Sequence, residues 1–191
     1  MNTETVVLEK ARQWAPHLLA GALGGLAASV PMAFVMMGLN RYLPVSRRSW
    51  PEKLRPLPPK EIVVETAIRA NVEEAVQPGQ RWDAATWIGH LGYGAATASL
   101  YPLATRPLPL PYLARGMLFA LGVWAGSYLG WLPALGILPP ATRQTPRRNA
   151  VMILSHLSWG SLLALFTRLF EQRWDDRNAA RPKTGKRRFR R

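Results

Sequence analysis

The sequence predicts an all-α integral membrane protein, a bundle of four transmembrane helices with a short amphipathic helix at the membrane interface. Four stretches of 23, 22, 27 and 19 residues contain no Lys, Arg, Asp or Glu: 18–40, 84–105, 116–142 and 149–167. About 20 mainly apolar residues are enough for a helix to cross the hydrocarbon core of a bilayer. Every charged residue of the chain lies outside these stretches. This segregation favours transmembrane helices over the buried helices of a soluble domain.

The first transmembrane helix is predicted at about residues 17–40. It carries Gly21 and Gly25, two small residues one turn apart, and such pairs allow two helix backbones to approach closely. The chain then enters its only long loop, residues 41–83. Apolar residues recur at every fourth position in the second half of this loop (Val64, Ile68, Val72 and Val76). That spacing predicts an amphipathic helix over 60–76, lying on the membrane surface or over the mouth of the bundle.

The other three transmembrane helices are predicted at about 84–104, 114–137 and 149–170, so that residues 1–174 form one membrane domain. The third of them has the strongest packing signal in the chain, a double GxxxG pattern on one face (Gly122, Gly126 and Gly130). This pattern predicts that the face packs closely against another helix.

A basic tail follows the last helix, at residues 175–191. The formal net charge of the chain is +14, and six of the last nine residues are basic (Lys183, Lys186, Arg187, Arg188, Arg190 and Arg191). A basic segment beside a membrane is attracted to anionic lipid headgroups. We therefore expect this tail to contact lipid or a partner protein, and we do not expect nucleic acid binding.

Helices two and four share a sequence pattern that places one histidine in each. Residues 88–94 and 154–160 both read apolar, small, His, Leu, small, aromatic, Gly. The chain is therefore predicted to contain two copies of a helical hairpin, which brings His90 and His156 to a similar depth in the membrane. Histidines inside a membrane are functional candidates.

Three roles remain open for these histidines. Each neutral imidazole can hydrogen-bond to a neighbouring helix, which fixes the register of the bundle. The two imidazoles can instead act as axial ligands of a haem b. The third role is a proton or solute pathway, since imidazole gains and loses a proton near neutral pH.

Catalytic and metal-binding patterns are missing from the sequence. The chain has no cysteine, which excludes disulfides and thiol chemistry, and it has no HExxH motif, P-loop or Rossmann fingerprint. We therefore predict no catalytic residue, no metal site and no firmly bound cofactor. The favoured function is a non-enzymatic accessory or assembly subunit of a larger membrane complex, which associates with other subunits or with itself through its glycine-rich faces. The alternatives are a bis-His haem b electron-transfer subunit and a small transporter or channel.

Three short motifs resemble the YagU-like family of small bacterial inner-membrane proteins. They are the Gly-His pair in helix two (Gly89 and His90), the Gly-Ile-Leu-Pro-Pro run at residues 136–140, and the His-Leu-x-Trp pattern in helix four (His156, Leu157 and Trp159). The resemblance covers the four helices and not the long loop or the tail. It implies a multi-pass protein of the bacterial inner membrane without established catalytic chemistry.

The distribution of basic residues predicts cytoplasmic termini. With four transmembrane helices both termini lie on one side of the membrane, and that side carries 14 Lys and Arg residues against 11 on the other. The dense basic tail decides the orientation, because basic segments favour the cytoplasmic side.

Overall fold

A computed structural model of the chain describes residues 3–43, 56–72 and 80–180. These residues form helices and connections, with no strand among them. The helices are α1 (Thr3–Tyr42), α2 (Pro58–Arg69), α3 (Gln80–Ser99), α4 (Tyr101–Thr105), α5 (Tyr112–Ala125), α6 (Leu132–Ala134) and α7 (Pro146–Ala180). A π-helix, Gly126–Trp131, joins α5 to α6, and a 3₁₀ turn, Ala141–Arg143, precedes α7.

Three helical segments are long and apolar enough to cross a membrane: Arg12–Tyr42, Tyr112–Ala134 and Pro146–Arg177. They identify the chain as a membrane protein by length and composition. The helix that corresponds to the second predicted span, α3, is not one of the three. Its 20 residues include only two large aliphatic side chains, Ile88 and Leu91, which lowers its hydropathy. A fourth span therefore remains a prediction.

Helix α1 lies at the centre of the helix packing. It packs against α3 on one side and against α7 on the other, and α7 in turn packs against α5. Helices α3 and α5 make little direct contact with each other. The four long helices therefore form an open arrangement, with a gap between α3 and α5.

The glycines of α1 allow its close approach to α3. A Cβ atom added to Gly25 would lie 2.5 Å from the backbone oxygen of Gly94, and one added to Gly21 would lie 2.9 Å from Cδ of Pro102, just after α3. Both distances are far inside normal van der Waals contact, so these two positions require glycine while the helices stay in place. Gly21 and Gly25 thus lie at the close approach of α1 to α3 and Pro102.

The close packing predicted for Gly122, Gly126 and Gly130 is not formed within the described part of the chain. A Cβ atom added to any of the three would meet no atom within 4 Å. The reason is that α5 presents another face to α7, where Gly116 and Gly160 lie directly against each other. The π-helix that begins at Gly126 also changes the helical repeat, which alters the register that the GxxxG spacing assumes.

Helix α2 is shorter than predicted and presents a different face to the bundle. It ends at Arg69 rather than at residue 76, and Asn71 follows in a left-handed conformation with φ 53°. Residues 73–76 of the predicted helix lie outside the described residues. Ile68 and Val72 of the predicted apolar stripe are about half exposed, because α2 turns the side containing Ile62 and Ala67 towards the bundle.

Candidate functional site

A cavity of about 300 Å³ lies inside the bundle, beneath α2. It is lined by side chains from α1, α2, α3, the α5 and π-helix segment, and α7. The gap between α3 and α5 lies on one side of the cavity. Most of the lining is apolar, and Met32, Met36, Ile62, Val63, Val123, Leu132 and Met152 contribute to it. A mainly apolar cavity with a few converging polar groups is the usual form of a small-molecule site.

Both histidines of the internal repeat line this cavity. His156 is 7% exposed, and its Nδ1 atom lies 2.8 Å from the backbone oxygen of Met152, one turn earlier in α7. Because a carbonyl oxygen only accepts hydrogen bonds, Nδ1 must carry the proton of this pair. In the neutral ring Nε2 is then left as a hydrogen-bond acceptor. The ring of Tyr128 stands perpendicular to the imidazole, with 6.1 Å between the ring centroids.

His90 uses the other ring nitrogen for its hydrogen bond. Its Nε2 atom lies 3.2 Å from the backbone oxygen of Ser29 in α1, so Nε2 donates and Nδ1 remains as the acceptor of the neutral ring. In one of the three roles that the sequence leaves open, each imidazole bonds to a neighbouring helix. The His90 bond does so between α3 and α1, whereas the His156 bond stays within α7.

The remaining polar groups of the cavity bond mainly to one another. Trp159 Nε1 donates to Ser29 Oγ at 3.2 Å, and Ser29 Oγ in turn donates to the backbone oxygen of Gly25 at 2.8 Å. On the side of the gap, the hydroxyls of Tyr93 and Ser127 are 2.7 Å apart and connect α3 to the π-helix. Since these groups already have partners, the acceptor nitrogens of the two histidines are among the polar atoms that remain to bind a ligand.

Helix α2 covers the cavity and is held by charged side chains that the sequence analysis does not single out. Arg148 at the start of α7 forms an ion pair with Glu61 of α2, and the two side chains are only 8% and 13% exposed. Arg69 donates to the backbone oxygen of Gly136. The sequence signals for this contact are Glu61 in the first turn of the amphipathic helix and the Arg-Arg pair in the first turn of the last helix.

The described residues contain no group of three or more His, Cys, Asp and Glu side chains that could hold a metal ion. Haem ligation by the two histidines requires one free ring nitrogen from each. His156 offers Nε2, but His90 has its Nε2 directed at Ser29 and would have to bind iron through Nδ1 or release that bond. The basic residues of the tail (Lys183, Lys186, Arg187, Arg188, Arg190 and Arg191) lie outside the described residues.

Comparison with known proteins gives no match to any protein-family model, curated sequence or solved structure. The resemblance to YagU-like proteins therefore stays a prediction from the sequence. Any function must be argued from the cavity and its residues.

Proposed function

We propose that this chain is a non-enzymatic, four-span membrane protein that binds a small, mainly apolar molecule in the cavity beneath α2. The observation that carries the proposal is the convergence of His90 and His156 on one apolar cavity. Each imidazole is held by one backbone carbonyl and keeps one acceptor nitrogen. A matching ligand is an apolar ring or chain that carries hydroxyl donors, such as a hydroquinone.

The test compares two ligands of nearly the same shape. Duroquinol, a tetramethyl hydroquinone, has two hydroxyl donors, and its dimethyl ether has none. Under anaerobic conditions we expect duroquinol to raise the melting temperature of the detergent-solubilised protein, and the ether to have little effect. Equal stabilisation by both compounds, or by neither, would contradict the proposal.

Histidine variants connect this effect to the cavity. His156→Gln keeps a polar side chain with an acceptor oxygen, whereas His156→Leu keeps only bulk. We expect the glutamine variant to retain part of the duroquinol effect and the leucine variant to lose it. His17→Gln is the matched control, because His17 does not line this cavity and pairs with Glu171 instead.

The role as an accessory subunit rests on the outer face of α5. Gly122 and Gly126 leave a shallow apolar surface there, flanked by Leu118 and Leu129, which are about half exposed. A transmembrane helix of another subunit, or of a second copy, fits such a surface because small residues let backbones approach. Since the chain has no cysteine, a single Gly126→Cys variant can be crosslinked in the membrane. Leu154→Cys, on an exposed part of α7, is the control. If Gly126→Cys forms no dimer and no crosslink to another protein, the proposed role as an accessory subunit is refuted.

A haem b subunit is the second candidate. Metal-bound histidines almost always donate their other ring N–H to a carbonyl or carboxylate, and both histidines here donate to a backbone carbonyl. Protein purified from haem-replete cells would show a Soret band that is lost in His90→Ala or His156→Ala. A colourless preparation would rule out this candidate.

We further propose a location in the bacterial inner membrane with cytoplasmic termini. The three apolar helices and the basic tail support it. A reporter that is active only in the periplasm, fused to Arg191, should remain inactive. Activity of this fusion would show that the C-terminus lies in the periplasm and would refute the proposed orientation.

A further inference from the structure

A second cavity, of about 320 Å³, lies near the end of the bundle that is farthest from α2. It is lined by the first part of α1, by α4, by the start of α5 and by the last part of α7. Three arginines contribute to its lining, each from a different element: Arg106 follows α4, Arg115 belongs to α5 and Arg168 to α7. We call these residues the arginine cluster.

The cavity lining contains one carboxylate against the three guanidinium groups of the arginine cluster. That carboxylate is Glu171, and it pairs with His17 Nδ1 at 2.6 Å. Among the ion pairs of the described residues, none includes a member of the cluster. The lining therefore carries a net positive charge, and a cleft lined by one sign of charge favours a ligand of the opposite sign, an anion.

Aromatic rings hold two of the guanidinium groups in position, and hydrogen-bond donors of the cluster remain unused. Arg168 lies over the ring of Tyr112 at 5.0 Å, and Arg106 lies over the ring of Trp14 at 5.4 Å. Contact with an aromatic face orients a guanidinium and leaves its edge donors available. The Nε atom of Arg115 is buried and has no hydrogen-bond partner.

We propose that the arginine cluster binds a phosphate-bearing anion. Guanidinium groups match the geometry of phosphate oxygens and bind them with paired hydrogen bonds. The cavity lies at the end of the membrane-crossing segments, beside Trp14 and Tyr112, and aromatic residues of this kind are enriched at the level of lipid headgroups. The phosphate can belong to an anionic phospholipid or to a soluble phosphate compound.

The experiment measures the melting temperature of the full-length protein in detergent at increasing ligand concentration. The probes are dihexanoyl-phosphatidylglycerol, inorganic phosphate, and zwitterionic dihexanoyl-phosphatidylcholine as the control lipid. At about 100 times the Kd, a ligand of the folded state should raise the melting temperature by roughly 5–10 °C. Stabilisation by phosphatidylglycerol alone identifies a lipid site, and stabilisation by inorganic phosphate identifies a site for soluble phosphates.

Two exposed members of the cluster provide the variant. Arg106→Gln with Arg168→Gln removes two guanidinium groups from exposed positions, so the fold should persist, and the melting temperature without ligand checks this. We expect the Kd for the stabilising ligand to rise at least tenfold. Arg143→Gln is the control: it removes an exposed cation at the other end of the bundle and should leave the Kd unchanged. Equal stabilisation by phosphatidylcholine, no stabilisation by any probe, or equal weakening by Arg143→Gln would overturn the proposal.

Discussion

The crossing of α5 and α7 allows a sharp test of which glycines hold the bundle together. In the structure Gly116 of α5 faces Gly160 of α7. A Cβ atom added to Gly116 would lie 2.8 Å from the Cβ of Ala164 and 2.9 Å from the carbonyl carbon of Gly160, whereas ordinary contacts begin near 3.4 Å. Gly116→Ala therefore forces the two helices apart by about half an ångström or more. The same substitution at Gly122, two turns later in α5, meets no atom within 4 Å.

The two variants separate the steric effect from helix propensity. Overpacking a close contact costs about 1–3 kcal/mol. Alanine also favours a helix over glycine by about 0.8–1 kcal/mol, but this gain is common to both variants and cancels in the comparison. We therefore expect Gly116→Ala to be less stable than Gly122→Ala by about 1–3 kcal/mol. For a chain of this length that corresponds to a difference in melting temperature of roughly 3–10 °C.

The assay is thermal unfolding of both variants in one detergent, followed by the loss of the monodisperse peak in size-exclusion chromatography. Gly160→Ala should behave like Gly116→Ala, because the same crossing is disturbed from the other side. The reasoning is refuted if Gly122→Ala melts at or below the temperature of Gly116→Ala. That result would mean that the Gly122 face carries the closer packing in the solubilised protein.

Three further changes test the contacts around the cavity. Arg148→Met removes the buried cation that faces Glu61 and is expected to cost about 3–5 kcal/mol, which should appear as faster proteolysis within α2. Asn71→Val places a β-branched residue at φ 53° and should cost about 1–2 kcal/mol, measured as faster hydrogen exchange at the end of α2. Tyr93→Phe removes the bond to Ser127 and should lower stability by about 0.5–1.5 kcal/mol, measured by thermal unfolding.

Each of these changes has its own control and its own contrary outcome. Lys60→Met is the control for Arg148→Met. It breaks an exposed ion pair and should cost no more than about 1 kcal/mol. Equal proteolysis of the two variants would contradict the claim that the pair of Arg148 and Glu61 holds α2 in place. Asn71→Gly should leave hydrogen exchange unchanged, because glycine adopts positive φ freely. A double-mutant cycle of Tyr93→Phe with Ser127→Ala should give a coupling near 0.6 kcal/mol, and a coupling of zero would mean that the bond is not formed.

The histidine repeat shows how much of the candidate site can be predicted from the sequence. The shared pattern at residues 88–94 and 154–160 predicts that His90 and His156 lie at a similar depth, and both line one cavity. The pattern does not predict which ring nitrogen each uses. That depends on which backbone carbonyl lies nearby, Met152 in the same helix or Ser29 in another.

The packing of the helices shows where sequence reasoning stops. Gly21 and Gly25 lie at the close approach of α1 to α3, whereas the GxxxG face of α5 remains open and the contact with α7 forms at Gly116. Gly116 and Ala120 also form a small-xxx-small pair, as do Gly160 and Ala164. The sequence therefore contains the signal for the crossing that forms, but it offers no means of ranking one small-residue face above another.

The sequence by itself predicts a helical protein with four membrane-crossing segments, and three helices of the structure are long and apolar enough to cross a membrane. The reason is that apolar segments in lipid must satisfy their own backbone hydrogen bonds, and a helix does so without a partner. Only the tertiary structure decides which helix faces meet, that α2 covers the histidine cavity through Glu61 and Arg148, and that three arginines from distant parts of the chain line a second cavity. These features depend on the relative rotation of helices far apart in sequence, which follows from how their side chains fit together and which no local pattern specifies.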